Sequence, residues 1–104
     1  MEIEHLNDKN FNEKAQSDKL AVVDFFATWC GPCQILGPIL SSVADEQTDV
    51  QFFKVDVDEC PATSKQFGVM SIPTLVFLKN GKELTRSVGL ISHDDIVDLI
   101  DQNK

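Results

Sequence analysis

The run Ala21-Val22-Val23-Asp24-Phe25-Phe26 constrains the fold of this chain more than any other segment, because five of its six residues are apolar and they do not alternate with polar ones. A strand with one wet face alternates; an almost continuous apolar run fits a strand covered on both faces. Both faces then need a layer of helices. Ile35, Leu36, Ile39, Leu40, Val43 and Ala44 recur at helical spacing and make one apolar face. Pro38 sits inside that pattern, where it removes a donor and should kink the helix. Glu2 to Leu6 reads as a short edge strand, and Asn7 or Asp8 can cap a helix running to about Ser17. Gln51 to Val57 reads as a strand with Phe53, Val55 and Val57 on one face, and a short helix follows Pro61. Thr74 to Leu78 and Glu83 to Val88 read as strands of a hairpin around Asn80-Gly81, a dipeptide suited to positive φ. Ser92 caps a last helix, with Asp95 placed to reach back and Ile96, Val97, Leu99 and Ile100 facing inward. Phe52, Phe53, Phe67 and Phe77 are assigned to the core. Strands alternating with helices, then a hairpin, predict an α/β mixed sheet with helices on both faces.

A chain of 104 residues accommodates one compact domain, read as spanning 1–104. No apolar run approaches the roughly 18 residues of a membrane helix, and the polar start does not read as a secretory signal. A net charge of −8 argues against non-specific binding to nucleic acid or anionic membrane, which needs clustered Lys and Arg. Three cysteines, two of them three apart, are too few for a disulfide scaffold. In a cytoplasmic chain, the expected location, such a pair is catalytic or metal-binding more often than a staple.

That pair lies in Trp29-Cys30-Gly31-Pro32-Cys33, between the buried strand and the helix. Pro32 suits a first helical turn, where a missing N–H is harmless. Cys30 then stands at the helix N-terminus and Cys33 one turn inside, with both sulfurs on one side. Free N–H groups and the positive helix end favour a thiolate, which assigns Cys30 as nucleophile and Cys33 as resolving thiol. Acidity alone gains little, so most of the effect must come from a second thiol held in position. The competing readings are a structural zinc half-site and an accidental spacing. Zinc would need two more ligands from Cys60, His5 and His93, and no second such pair exists. His5 and His93 otherwise read as surface residues.

Asp24 interrupts the apolar run, where an unpaired carboxylate is expensive. Burial should raise its pKa and suit it to accept the Cys33 proton; a solvated strand edge is the alternative. Trp29, the only tryptophan, packs over the site as substrate surface or belongs to the core. Cys60 is either an inert thiol or one open to regulatory oxidation or intermolecular pairing.

The residues Val23-Asp24-Phe25, Trp29-Cys30-Gly31-Pro32-Cys33, Pro38, Lys54-Val55-Asp56, Ile72-Pro73-Thr74, Asn80-Gly81 and Gly89 stand in an order and spacing that resembles the thioredoxin family over nearly the whole chain. The resemblance implies a thioredoxin fold: a central five-stranded mixed sheet flanked by four helices. It implies protein-disulfide reductase activity, with a redox-active Cys30–Cys33 disulfide tuned by Gly31 and Pro32. It further implies a cis Pro73 facing the cysteines, the Ile72 backbone pairing to the substrate chain, Lys54 modulating Asp24, and Trp29, Ile72, Pro73, Met70 and Gly89 in the substrate surface. An ordinary strand-start proline is the alternative for Pro73. No bound cofactor or metal is implied; electrons come from NADPH through a separate thioredoxin reductase. Implied partners are that reductase and proteins such as peroxiredoxin, methionine sulfoxide reductase and ribonucleotide reductase, served by a monomer. The Gly-Pro pair resembles the reducing branch of the superfamily. Two positions depart from the pattern: Gln34 and Met70 stand where many members carry Lys or Arg, which makes the rim less basic. Docking as a structural subunit through the apolar rim of Trp29, Ile72 and Met70 is the second functional class.

Overall fold

Every residue of the 21–26 run is buried, from Ala21 at 0% exposure to Phe26 at 9%, and the architecture is organised around it. A computed structural model describes residues 2–104; Met1 lies outside the described residues. In chain order the elements are β1 (Glu4–His5), α1 (Phe11–Lys14), β2 (Ala21–Phe26), α2 (Gly31–Glu46), β3 (Gln51–Asp56), α3 (Pro61–Gln66), β4 (Thr74–Lys79), β5 (Lys82–Val88) and α4 (His93–Asn103). Among the described residues the strands form one five-stranded sheet in the order β1-β3-β2-β4-β5. β1 and β2 run parallel to β3, while β4 is antiparallel to β2 and β5 to β4. The mixed five-stranded sheet with four helices implied by the resemblance is therefore present.

The two faces of β2 divide the core. Val22 packs with Leu36, Leu40 and Val43 of α2, and with Ile96 and Ile100 of α4. Ala21, Val23 and Phe25 pack on the other face with Phe11 of α1, Phe53, Val55 and Val76. Alternation places Asp24 on the α2 face, between Val22 and Phe26. The site follows from topology. Four residues separate the end of β2 from the start of α2, and antiparallel pairing sets Thr74, the first residue of β4, beside Phe25 near that same end. The loop before β4 is thereby brought to the tip of α2.

Several local expectations change. β1 is two residues long rather than Glu2 to Leu6, because only Glu4 and His5 register against Phe53 and Lys54. α1 is a single turn over Phe11–Lys14 rather than a helix from Asn7 or Asp8 to Ser17. The Asn7 carboxamide oxygen accepts from the Lys9 and Asn10 N–H groups and holds a turn instead. Asp8 caps a different helix: its carboxylate accepts from Ala62 N, Thr63 N and the Thr63 hydroxyl at the start of α3. Ile35 is 57% exposed and does not join the buried face of α2. The helix continues through Pro38 to Glu46. In the hairpin, Asn80 (φ 54°) and Gly81 (φ 76°) are both left-handed, as a two-residue turn of this hand requires. A Cβ at Gly81 would also collide with the Gln16 carboxamide. Ser92 Oγ accepts from Asp95 N at 3.1 Å and caps α4.

Candidate redox site

Cys30 is the N-cap residue of α2, with extended backbone (φ −88°, ψ 114°), and its sulfur accepts from the Cys33 N–H at 3.3 Å. Pro32 occupies the first turn, where it breaks no helical hydrogen bond. The two sulfurs lie at disulfide distance, and the Cα–Cα span of 5.3 Å is within the ordinary range for such a pair. Both residues are nearly covered, Cys30 at 6% and Cys33 at 3% exposure. They pack with Phe26, Ala27, Val57 and Ile72. Gly31 has open space where a Cβ would be.

The opposite wall is the loop before β4. The Ile72–Pro73 peptide is cis, Pro73 is buried, and the Ile72 carbonyl oxygen lies 4.0 Å from Cys30 Sγ. Gly89, at φ 98°, donates its N–H to the Pro73 carbonyl at 2.8 Å and ties the end of β5 to this loop. Trp29 is 70% exposed, which removes the core alternative, and its indole N–H donates to Asp58 Oδ2 at 2.7 Å. Met70 is 93% exposed. Gln34 turns its side-chain amide onto the Thr28 carbonyl at 2.8 Å.

In β2, Asp24 is fully buried and neither carboxylate oxygen has a hydrogen-bond partner. Burial pushes its pKa up from the ordinary carboxylate value to about 6, while Lys54 pulls the other way. Lys54 is the cross-strand partner of Asp24, and its ammonium lies 4.5 Å from the centre of the Phe26 ring. Phe26, Cys33, Gly37 and Lys54 line a groove of about 520 Å³ that opens along α2.

The structure gathers Cys30, Cys33, Asp24, Lys54, Trp29, Ile72, Pro73 and Gly89 at one end of the sheet. Cys60 is elsewhere: it is buried at the start of α3, and its thiol lies 3.5 Å from the Leu6 carbonyl oxygen. Burial first, then Asp8, Asp56 and Glu59, push its pKa up. His5 packs its ring on Phe26, and His93 pairs with Glu46 and Asp94. Among the described residues no three of His, Cys, Asp or Glu gather where they could hold a metal ion. Asp58 is not legible as a site residue in the sequence. It stands in the acidic run Asp56 to Glu59, which reads only as surface until the fold sets it under the Trp29 indole.

A disulfide-forming pair at a helix N-terminus, facing a cis-proline loop at the end of a mixed sheet, defines a thiol-disulfide oxidoreductase. The thioredoxin family model matches residues 2–102. Similar proteins include the thioredoxin of Chlamydia muridarum, 45% identical over 102 residues covering 98% of this chain and 99% of that protein. Thioredoxin-2 of Saccharomyces cerevisiae is 52% identical over 75 residues, 72% of each chain. Thioredoxin H2 of Arabidopsis thaliana is 50% identical over 80 residues, 77% of this chain and 60% of that one. The chain belongs to the thioredoxin family. Membership implies catalysis with no bound cofactor, and partners that are a reductase and proteins carrying disulfides. No helix among the described residues is long and apolar enough to cross a membrane.

Proposed function

We propose that the protein reduces disulfides in other proteins and is itself reduced by an NADPH-dependent thioredoxin reductase. The observation that carries this reading is the Cys33 N–H pointing at Cys30 Sγ from the first turn of α2, which stabilises negative charge on that sulfur. Cys30 thiolate attacks one substrate sulfur and forms a mixed disulfide, while the other substrate sulfur leaves as a thiolate and takes a proton. Cys33, deprotonated by Asp24, then attacks Cys30 Sγ. The Cys30–Cys33 bond forms, the second substrate sulfur leaves as a thiol, and two electrons and two protons have passed to the substrate.

Acidity supplies the smaller part of the rate. Thioredoxin nucleophiles ionise near pKa 7 rather than about 8.5, which raises the thiolate fraction roughly 15-fold at neutral pH. The same change lowers intrinsic nucleophilicity roughly 5-fold, leaving about 3-fold. The larger part comes from a resolving thiol fixed one turn away, which makes the second displacement intramolecular. Gly31 and Pro32 set the spacing and tune the potential. Ile72 offers its backbone to an extended substrate segment beside cis Pro73, and Trp29, Met70 and Gly89 complete the contact surface. Lys54 holds the Asp24 pKa down.

The partners that fit are thioredoxin reductase and enzymes left oxidised by their own turnover, such as peroxiredoxin, methionine sulfoxide reductase and ribonucleotide reductase. The setting is the cytoplasm and the protein acts as a monomer in redox homeostasis. Insulin reduction by dithiothreitol should accelerate in its presence. Cys30→Ser should abolish the acceleration and Cys33→Ser should accumulate mixed disulfides; an active Cys30→Ser variant would reverse the roles. Robust turnover with NADPH and a thioredoxin reductase tests the electron route. The exposure of Trp29 and Met70 favours a second reading, docking as a structural subunit. Full partner function in a Cys30→Ser, Cys33→Ser double variant would select it.

A further inference from the structure

The solvent face of α2 carries no charge until its last turn, where Asp45 and Glu46 stand. Between Asp24 and Asp45 the chain has no Asp, Glu, Lys or Arg, although 25% of its residues are charged. Exposed residues of that stretch are Thr28, Trp29, Gly31, Pro32, Gln34, Ile35, Pro38 and Ser42. A solvated helix face ordinarily bears charged side chains. Here its large apolar side chain is Ile35, 57% exposed. Ile35 stands three and four residues after Pro32 and Gly31, so helical geometry sets it on the same face as the two residues that separate the cysteines.

Cys30 therefore has an apolar flank on each side. On one lie Met70, Val88 and Leu90, exposed on the loop before β4 and at the end of β5, which the Gly89–Pro73 hydrogen bond joins. On the other lies the Ile35 face. Of the large apolar side chains exposed among the described residues, only Leu84 lies away from these two flanks and Trp29, toward the hairpin end of β5.

We propose that the Ile35 face of α2 is a docking surface for oxidised protein substrates, continuous with the redox pair, and that it selects disulfides set in apolar, uncharged segments. The proposal rests on the reductase reading. A charged substrate flank laid on this face loses hydration and finds no counter-charge, whereas an apolar flank removes Ile35 from water. Replacement of a basic side chain by Gln34, whose amide is turned onto Thr28, leaves nothing on this turn to attract an acidic flank.

The experiment uses the reduced full chain in single turnover, followed by the fluorescence of Trp29. Two disulfide-bridged peptides of one sequence are compared, with either leucines or alternating lysine and aspartate beside the cysteines; 2-hydroxyethyl disulfide serves as the small substrate. The wild type should prefer the leucine peptide, and Ile35→Gln should reduce that preference roughly five- to tenfold. Leu84→Gln should leave it unchanged, and all three proteins should reduce 2-hydroxyethyl disulfide at the same rate. An equal peptide preference in wild type and Ile35→Gln overturns the docking proposal. Failure of the wild type to reduce the small disulfide overturns the reductase reading instead.

Discussion

Asp24 stands directly across the β2–β3 pair from Lys54, yet both of its carboxylate oxygens lack a hydrogen bond. The lysine answers the charge at a distance and leaves the lone pairs unsatisfied. A carboxylate so placed is held against folding stability.

The pH dependence follows from the rise of the Asp24 pKa to about 6. The folded state binds the Asp24 proton more tightly than the unfolded chain, whose value is near 3.8. The penalty is absent below about pH 4, grows as pH rises toward the folded value, and is complete above it. Each tenfold in proton affinity is worth about 1.4 kcal/mol, so the roughly hundredfold difference between folded and unfolded chains amounts to about 3 kcal/mol. Asp24→Asn should therefore be more stable than wild type by about this amount at pH 8, with the gap closing by pH 4; urea unfolding across that range measures it. The same variant should slow release of Cys30 from mixed disulfides. Unchanged resolution kinetics from pH 6 to 9 would remove Asp24 from the proton path.

Lys54 is the one group pulling the Asp24 pKa back down. Lys54→Gln keeps much of the length that covers Phe26 and removes the charge. The Asp24 pKa should then rise above about 6, seen as a displaced midpoint in the carboxyl carbon titration by NMR. The pH at which resolution reaches half its maximum should move upward with it. A midpoint that stays put would show that the two groups do not interact across the strand pair.

The sheet and the redox pair are legible in the sequence because each follows from a strong local pattern. The 21–26 run demands two covering layers, and Cys30 and Cys33 one turn apart demand a helix start. Pro73 is reached only through the family resemblance, since no local signal makes an X–Pro bond cis. Asp8 escapes local reading for a physical reason: its carboxylate can cap the helix that follows or one 54 residues away, and local sequence does not distinguish them. Ile35 satisfies the helical period and is nonetheless exposed, because periodicity fixes an angle around the helix and not where the covering layer ends. Asp58 is invisible to the sequence because its contact with Trp29 joins residues 29 apart.

Cys60 should be silent in catalysis. It is buried, and burial and neighbouring carboxylates raise its pKa, so little thiolate forms and reagents do not reach it. In the reduced protein at pH 7.5, iodoacetamide should label Cys30 far faster than Cys60, as peptide mass mapping will show. Cys60→Ala should retain wild-type turnover with insulin. Labelling of Cys60 at a comparable rate would mean that α3 opens readily, and would restore the regulatory alternative.

Asp8 anchors the first turn of α3. Its carboxylate accepts from two backbone N–H groups and one hydroxyl at the first turn of α3, and those bonds hold its pKa below the usual carboxylate value. The stabilisation is thus present above the unfolded value and disappears as pH falls through the lowered folded one. Asp8→Ala should lower the unfolding midpoint at pH 7, and the difference from wild type should shrink toward pH 2. Two effects should also make Cys60 more reactive in this variant: α3 loses its anchor at the turn where Cys60 sits, and a carboxylate that raises the thiol pKa is gone. Iodoacetamide labelling should accelerate at Cys60 and remain unchanged at Cys30. Faster labelling at both cysteines would indicate general loosening of the fold rather than release of α3.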